Sequence, residues 1–279
     1  MEIDMPCKSI LVHADRTAST ASRLRLSAAL ARRHASHIIG LAVRPMLMPP
    51  IGFVEVVPQD VIDTFSEQSD QILEELRQAF EMAAQSAGLE GQSEWRTVSG
   101  DPARQIALHG RYSDLIVVGQ PNPDTESGFA TELPDDVVLE SGRPVLVVPY
   151  TYSGDEAGQR IMVAWNASRE AARAVSDAMP FFAAAQSVEI ISADPSDLGD
   201  LPGADIARHL ARHGVNVEVS HTVTDGVSIG DEILNRISDH GSDMLVMGAY
   251  GHSRFRETIL GGATWHILRH MTVPTLLSH

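Results

Sequence analysis

The chain has 279 residues, of which 43% are hydrophobic and 21% charged, and its formal net charge is −16. This length predicts about two domains, and the composition excludes a disordered or fibrous protein. The acidic balance argues against nucleic acid and anionic membrane surfaces as partners, because their phosphates are repelled by a negatively charged protein.

Cysteine usage and hydropathy narrow the class further. Cys7 is the single cysteine, so an intramolecular disulfide is excluded, and no CxxC, HExxH or His-Cys cluster has the spacing of metal ligands. The N-terminus lacks a basic segment followed by an apolar one, and no apolar run reaches about 18 residues. We therefore expect a cytoplasmic protein without a metal site.

The sequence contains an internal repeat. The apolar run at 10–15 (ILVHAD) has a counterpart at 161–166 (IMVAWN), and each is followed by a small-residue turn and a helical pattern. Ser19 or Thr20 in the first copy and Ser168 in the second are predicted helix N-caps. Each half is thus expected to open with a strand and a helix.

Two further pairs of segments extend the repeat. Residues 113–119 (SDLIVVG) match 242–248 (SDMLVMG), and both are apolar runs typical of parallel strands that are buried on both faces. Each half then ends with a short apolar run that follows Pro144 or Pro274, and proline is tolerated at the first residue of a strand. We predict that the halves pack as a pseudo-twofold pair through these terminal strands.

Strand and helix patterns alternate about five times in each half. This order predicts an α/β protein with two tandem doubly wound, mostly parallel five-stranded sheets flanked by helices. The predicted domains are 1–152 and 158–279, separated by a polar stretch. A Pro-rich segment at 44–58 has no counterpart in the second half and is predicted to be an irregular loop, which acts as a lid or packs against a surface.

Glycines punctuate the segment that follows the predicted strand at 243–247 (DMLVM). The turn 261–264 (GGAT) directly precedes an apolar helical pattern at 265–271. Glycine lets a phosphate approach backbone N–H groups closely, and the first N–H groups of a helix are free to bind an anion. The segment is therefore an anion site in outline.

The glycine spacing resembles that of the universal stress protein family. Two residues separate Gly248 from Gly251, and nine separate Gly251 from Gly261. The resemblance covers essentially the whole chain and implies two adenine nucleotide alpha hydrolase-like domains, with ATP as ligand and Mg²⁺ as an optional companion. It assigns the adenosine end to Ala164, Asn166 and Ala193, and the phosphate end to Met247, Gly248, Gly251, His252, Gly261, Gly262, Ala263 and Thr264.

The sequence departs from the family pattern at two positions. Gly262 stands where the family usually has a serine or threonine hydroxyl, and Asn166 stands where it has aspartate. Asparagine keeps an acceptor oxygen and adds an NH₂ donor but carries no charge. The alternative to ATP or a related adenine nucleotide is a vestigial loop that is kept for packing.

The first half keeps Asp15 but lacks the glycine spacing after Gly119. Acidic residues stand there instead, and their charge would repel phosphate, so we predict one nucleotide site per chain. Asp101 is predicted to cap a helix. The acidic residues are Asp124, Glu126, Glu132, Asp135 and Asp136.

Three classes of function follow from these features. The favoured one is a stress-response regulatory protein that binds ATP or a related adenine nucleotide in its C-terminal domain and acts on a protein partner still to be identified. A slow ATP-hydrolysing or phosphoryl-transferring enzyme is the second, although the chain has no GxxxxGK[ST] loop and we assign no catalytic residue. The third is a nucleotide-free interaction scaffold. The intramolecular pseudo-dimer could dimerise further.

Individual side chains near this loop have two interpretations each. His252 contacts phosphate or lies on a solvated loop, and Trp165 stacks on adenine or packs against a helix. His266 and His270 have i, i+4 spacing but no third metal ligand, so we expect His270 to interact with a helix C-terminus instead.

Overall fold

A computed structural model describes residues 7–44, 58–124, 132–193, 203–222, 226, 228–251 and 262–279. The Pro-rich segment predicted to be a lid or packing loop lies almost entirely outside these residues. The described residues form ten strands and nine helices.

The first half alternates strands and helices from its first element to its last. Its elements are β1 (Ser9–Ala14), α1 (Thr20–His34), β2 (His37–Arg44), α2 (Gln59–Ser86), β3 (Ser93–Ser99), α3 (Pro102–Gly110), β4 (Leu115–Gly119), α4 (Leu133–Ser141) and β5 (Val145–Val148).

The second half repeats this order with one additional helix. Its elements are β6 (Arg160–Ala164), α5 (Arg169–Asp177), α6 (Met179–Ala184), β7 (Ser187–Ala193), α7 (Ala204–Arg212), β8 (Val217–Thr222), α8 (Ile229–His240), β9 (Met244–Gly248), α9 (Ala263–His270) and β10 (Thr275–Ser278).

One ten-stranded sheet runs through both halves, in the order β3-β2-β1-β4-β5-β10-β9-β6-β7-β8. Every neighbouring pair is parallel except β5 and β10, which pair antiparallel with Leu146 opposite Leu276. The α/β prediction is confirmed, and so is the prediction that the strands after Pro144 and Pro274 join the halves. The two predicted five-stranded sheets are therefore continuous.

The strands are apolar throughout because both faces of the sheet are covered. In β1, Ile10 and Val12 pack in the core on one side of the sheet, and Leu11 packs in the core on the other side. Strand β9 shows the same alternation. Successive side chains of a strand point to opposite faces, so a strand between two helix layers needs apolar residues at every position.

Local signals position several helices. The side chains of Asp101 and Ser168 accept hydrogen bonds from the third residue beyond them, at 2.9 and 3.1 Å, and cap α3 and α5 as predicted. Ser19 occupies the N-cap position of α1 without a side-chain capping bond. The helical pattern predicted after the first strand of the second half is in fact two helices, because Pro180 opens α6 at the point where α5 would continue.

Candidate functional site

A cavity of about 300 Å³ lies at the carboxyl ends of β6 and β9 in the second half. The chain runs outward from β6 to β7 and β8 on one side and then returns to β9 and β10 on the other, so the strand order reverses between β6 and β9. Open α/β sheets bind their ligands at such a point. The lining residues are Ala164, Trp165, Asn166, Ser168, Ile191, Ile229, Ile233, Met247, Gly248, Gly251, Gly262, Ala263 and Thr264.

Most of the predicted site residues lie together in this cavity. Ala193 is the last residue of β7, where it pairs with Thr222. His252 and Gly261 lie outside the described residues. The predicted residues that line the cavity are Ala164, Asn166, Met247, Gly248, Gly251, Gly262, Ala263 and Thr264.

The turn after β6 shapes one wall of the cavity. Oδ1 of Asn166 accepts a hydrogen bond from the backbone N–H of Ser168 at 3.1 Å, and Ala167 between them adopts a left-handed conformation with φ of +58°. Trp165 packs against the core and also lines the cavity. Its stacking on adenine stays a prediction.

Gly248 is required by packing alone. A Cβ at this position would lie 2.4 Å from the backbone nitrogen of Ala171 and 2.6 Å from the carbonyl carbon of Glu170, and neither atom can move without displacing α5. At Gly251 the nearest atom to a Cβ would be Oε2 of Glu170, at 3.2 Å. Packing therefore explains glycine at 248. At 251 the contact is tight but involves only the end of the Glu170 side chain, so a larger residue requires that side chain to shift.

Glu170 is a functional-site neighbour that sequence reasoning missed. Its side chain is buried beside the glycine segment and forms an ion pair with the exposed Arg169. Burial raises the pKa of Glu170, but the hydrogen bonds from Arg169 and from its own backbone N–H, together with the nearby charges of Arg169 and His279, outweigh this effect and hold the pKa below its usual range. A carboxylate therefore lies close to Gly251.

Helix α9 begins at the cavity. Its N-cap residue is Gly262, which offers no side-chain oxygen to the first-turn N–H groups. Thr264 in that turn is buried, and its Oγ1 accepts a hydrogen bond from the backbone N–H of Tyr250 at 3.3 Å. The N-terminus of a helix attracts anions, so this end of the cavity suits a negatively charged group.

The two histidines of α9 contact other groups of the protein. Nε2 of His266 lies 2.9 Å from Oδ1 of Asp231, and Nδ1 of His270 lies 2.9 Å from the carbonyl oxygen of His266 in the last turns of α9. His270 therefore interacts with a helix C-terminus as predicted.

The described residues contain no group of three or more potential metal ligands, and none of their helices is long and apolar enough to cross a membrane.

The first half has a second cavity, of about 400 Å³, at the carboxyl ends of β1 and β4. Arg23 is fully buried there, and its Nη2 lies 2.8 Å from Oδ2 of Asp15. A Cβ on Gly119 would lie 1.8 Å from Nη1 of Arg23, so the guanidinium packs directly on the residue that corresponds to Gly248. Sequence patterns did not predict that the side chain of Arg23 would occupy this position.

Comparisons with known proteins identify the second half. The model of the universal stress protein family matches residues 158–279. Residues 158–279 form a universal stress protein domain. The predicted resemblance is thereby confirmed for the half that holds the glycine motif.

Individual known proteins resemble this chain in sequence over a part of it, or in fold over nearly all of it. Universal stress protein Slr1230 of Synechocystis sp. is 32% identical over 83 residues, which are 30% of this chain and only 27% of that protein. A universal stress protein from Archaeoglobus fulgidus has the same fold over 98% of this chain and 96% of its own, with a TM-score of 0.76 and 18% identity. A Pseudomonas aeruginosa PAO1 protein of unknown function matches 98% of this chain and 92% of its own, with a TM-score of 0.54 and 16% identity.

Proposed function

We propose that this chain is a cytoplasmic stress-response regulatory protein that binds ATP or a related adenine nucleotide in its second half, with 1–152 and 158–279 as its domains. The observation that carries the proposal is the cavity itself. It gathers motif residues from three separate segments at the point where the strand order reverses.

The lining has an apolar part and a part that suits an anion. Ile191, Ile229 and Ile233 provide an apolar wall for a base, and the first turn of α9 lines the same cavity. Gly251 leaves space where a side chain would otherwise project towards a phosphate. A volume of about 300 Å³ lies at the lower end of the range of about 300–1,000 Å³ that is typical of small-molecule sites.

The second half alone is proposed to bind nucleotide. In the first half the carboxylate of Asp15 is already engaged by Arg23, Thr17 and Thr20, and the guanidinium of Arg23 covers Gly119. The groups that would hold a nucleotide there are therefore already bound to other groups of the first half. We expect a stoichiometry of one.

Mass spectrometry of nucleotide retained by the purified protein, followed by calorimetric titration of ATP with and without Mg²⁺, tests the proposal. We expect one adenine nucleotide per chain. A folded protein that gives no binding heat with ATP, ADP or AMP would refute it, and a stoichiometry of two would refute the assignment to the second half alone.

A further inference from the structure

A tyrosine in the glycine segment of the second half reaches into the first half. Tyr250 lies between Gly248 and Gly251 and is only 5% exposed. Its hydroxyl donates a hydrogen bond to Oδ1 of Asp135, which lies in α4. Asp135 was expected to crowd the phosphate position of its own half; it contacts the glycine segment of the other half instead.

The backbone at Tyr250 needs support to keep its conformation. Tyr250 has a φ of +56°, in the left-handed region that non-glycine residues rarely adopt. Such a residue persists only where surrounding contacts hold it, and these conformations concentrate at functional sites. The contacts that hold Tyr250 include the hydroxyl bond to Asp135 and the bond from its backbone N–H to Thr264 in α9.

In another contact across the halves, a residue of the first half reaches the last helix of the second half. Gln120 follows β4 in the first half, and its Nε2 donates a hydrogen bond at 3.0 Å to the carbonyl oxygen of Leu268 in α9. Its Oε1 accepts from the backbone N–H of Tyr150 at 3.2 Å. In each half, therefore, the segment after the strand at the switch point binds the last helix of the other half.

We infer that Asp135 of the first half is a positioning residue for the second-half site. Through the hydroxyl of Tyr250 it holds the 248–251 segment in the conformation that leaves Gly251 open to a phosphate. The effect of this role on nucleotide affinity rests on the proposed function, whereas the contact between Asp135 and Tyr250 does not. It gives the first half a part in binding although we place no nucleotide there.

The test uses the full chain and four single variants. Tyr250→Phe removes the hydroxyl and keeps the buried ring, and Asp135→Ala removes the acceptor. Asp135→Asn keeps an acceptor oxygen, so it should restore what alanine loses. Glu140→Gln removes a charge from an exposed position of the same helix and is the matched control.

Two measurements are made on each variant. Hydrogen exchange of the 248–251 amides in nucleotide-free protein reports the conformation of the segment, and calorimetry gives the Kd for ATP. We expect Tyr250→Phe and Asp135→Ala to increase the exchange rate of these amides and the Kd for ATP by about tenfold each, because each variant loses one hydrogen bond. Combining Tyr250→Phe with Asp135→Ala should raise the exchange rate and the Kd no further than either single substitution does, because both substitutions remove the same contact.

The outcomes separate this inference from the proposed function. Unchanged exchange rates in Tyr250→Phe and Asp135→Ala would overturn the inference, and so would faster exchange with an unchanged Kd. The inference would also fail if Asp135→Asn and Glu140→Gln lost as much ATP affinity as Asp135→Ala. If wild-type protein binds no ATP, the proposed function fails, and the exchange measurement still decides whether Asp135 holds the segment.

Discussion

Arg23 and Asp15 form a buried ion pair in the first half, with 2.8 Å between Nη2 and Oδ2. Burial alone would raise the pKa of Asp15, but the Arg23 guanidinium, His13 and the hydroxyls of Thr17 and Thr20 hold it well below its usual range. Asp15 therefore stays charged and engaged. The half that keeps the acidic residue typical of the family uses it for structure, and the half that lacks it has the glycine segment.

Replacing Arg23 with methionine should destabilise the protein strongly. The substitution leaves the carboxylate of Asp15 without its cation in a buried position, which typically costs about 3–5 kcal/mol. Urea denaturation gives the free energy of unfolding. Arg25→Met is the control, because the Arg25–Asp155 pair is largely exposed and pairs of that kind contribute less than about 1 kcal/mol. Similar losses in the two variants would contradict the structural role of Arg23.

His13 should make the stability fall between pH 7.5 and pH 5. Burial, opposed by Asp15 and assisted by Arg23, lowers the pKa of His13 to about 4. An unfolded histidine titrates near 6.5, so between these values the unfolded chain binds more protons and stability is lost as the pH falls. The contribution of His13 at pH 5 is about 2 kcal/mol.

Free energies of unfolding at the two pH values, in wild type and His13→Gln, measure this contribution. The variant should lose less stability between pH 7.5 and pH 5 than the wild type does. Burial also lowers the pKa of His34, so part of the slope will remain. Asp15 affects the stability at lower pH only, because its depressed pKa makes the stability fall only once the pH drops below the unfolded value of about 3.9. An equal pH dependence in both proteins would contradict the buried neutral state of His13.

Valine at Gly251 and valine at Gly248 should have different effects. Gly248→Val places a side chain against the backbone of α5, so we expect a protein that is unfolded or strongly destabilised. Gly251→Val should fold and lose affinity for ATP by about a hundredfold, or 2.7 kcal/mol.

Circular dichroism and calorimetry distinguish the two effects. Gly91→Val is the control, because a Cβ there meets no atom within 4 Å. It should fold and bind ATP as the wild type does. Wild-type affinity in Gly251→Val would show that no phosphate approaches this residue.

Serine at Gly262 should strengthen ATP binding. The N-cap of α9 lacks a side-chain oxygen, and a hydroxyl there can donate to a phosphate. We expect a gain of about 1 kcal/mol after offsetting costs, measured as Kd by calorimetry. Gly262→Ala adds a Cβ without a hydroxyl and should give no gain. Equal affinities in the serine and alanine variants would place the phosphate away from α9.

The local pattern of the sequence determined the elements and their repeat. The runs at 115–119 and 244–248 are apolar at every position, and only strands covered on both faces need that composition. Pro144 and Pro274 mark the starts of β5 and β10 for a similarly local reason, since proline cannot donate to the ladder. The family resemblance also implied the motif residues that line the cavity of the second half, and they meet there because β6 and β9 are adjacent parallel strands whose carboxyl ends lie side by side.

Only the tertiary structure decided which residues meet across the halves. Tyr250 and Asp135 are 115 positions apart, and their contact exists because β5 and β10 pair antiparallel and bring α4 against the glycine segment. The place of Arg23 against Gly119 depends in the same way on how α1 packs on the sheet. Sequence patterns reflect which face of an element is buried, whereas partners across a sheet depend on the assembled order of its strands.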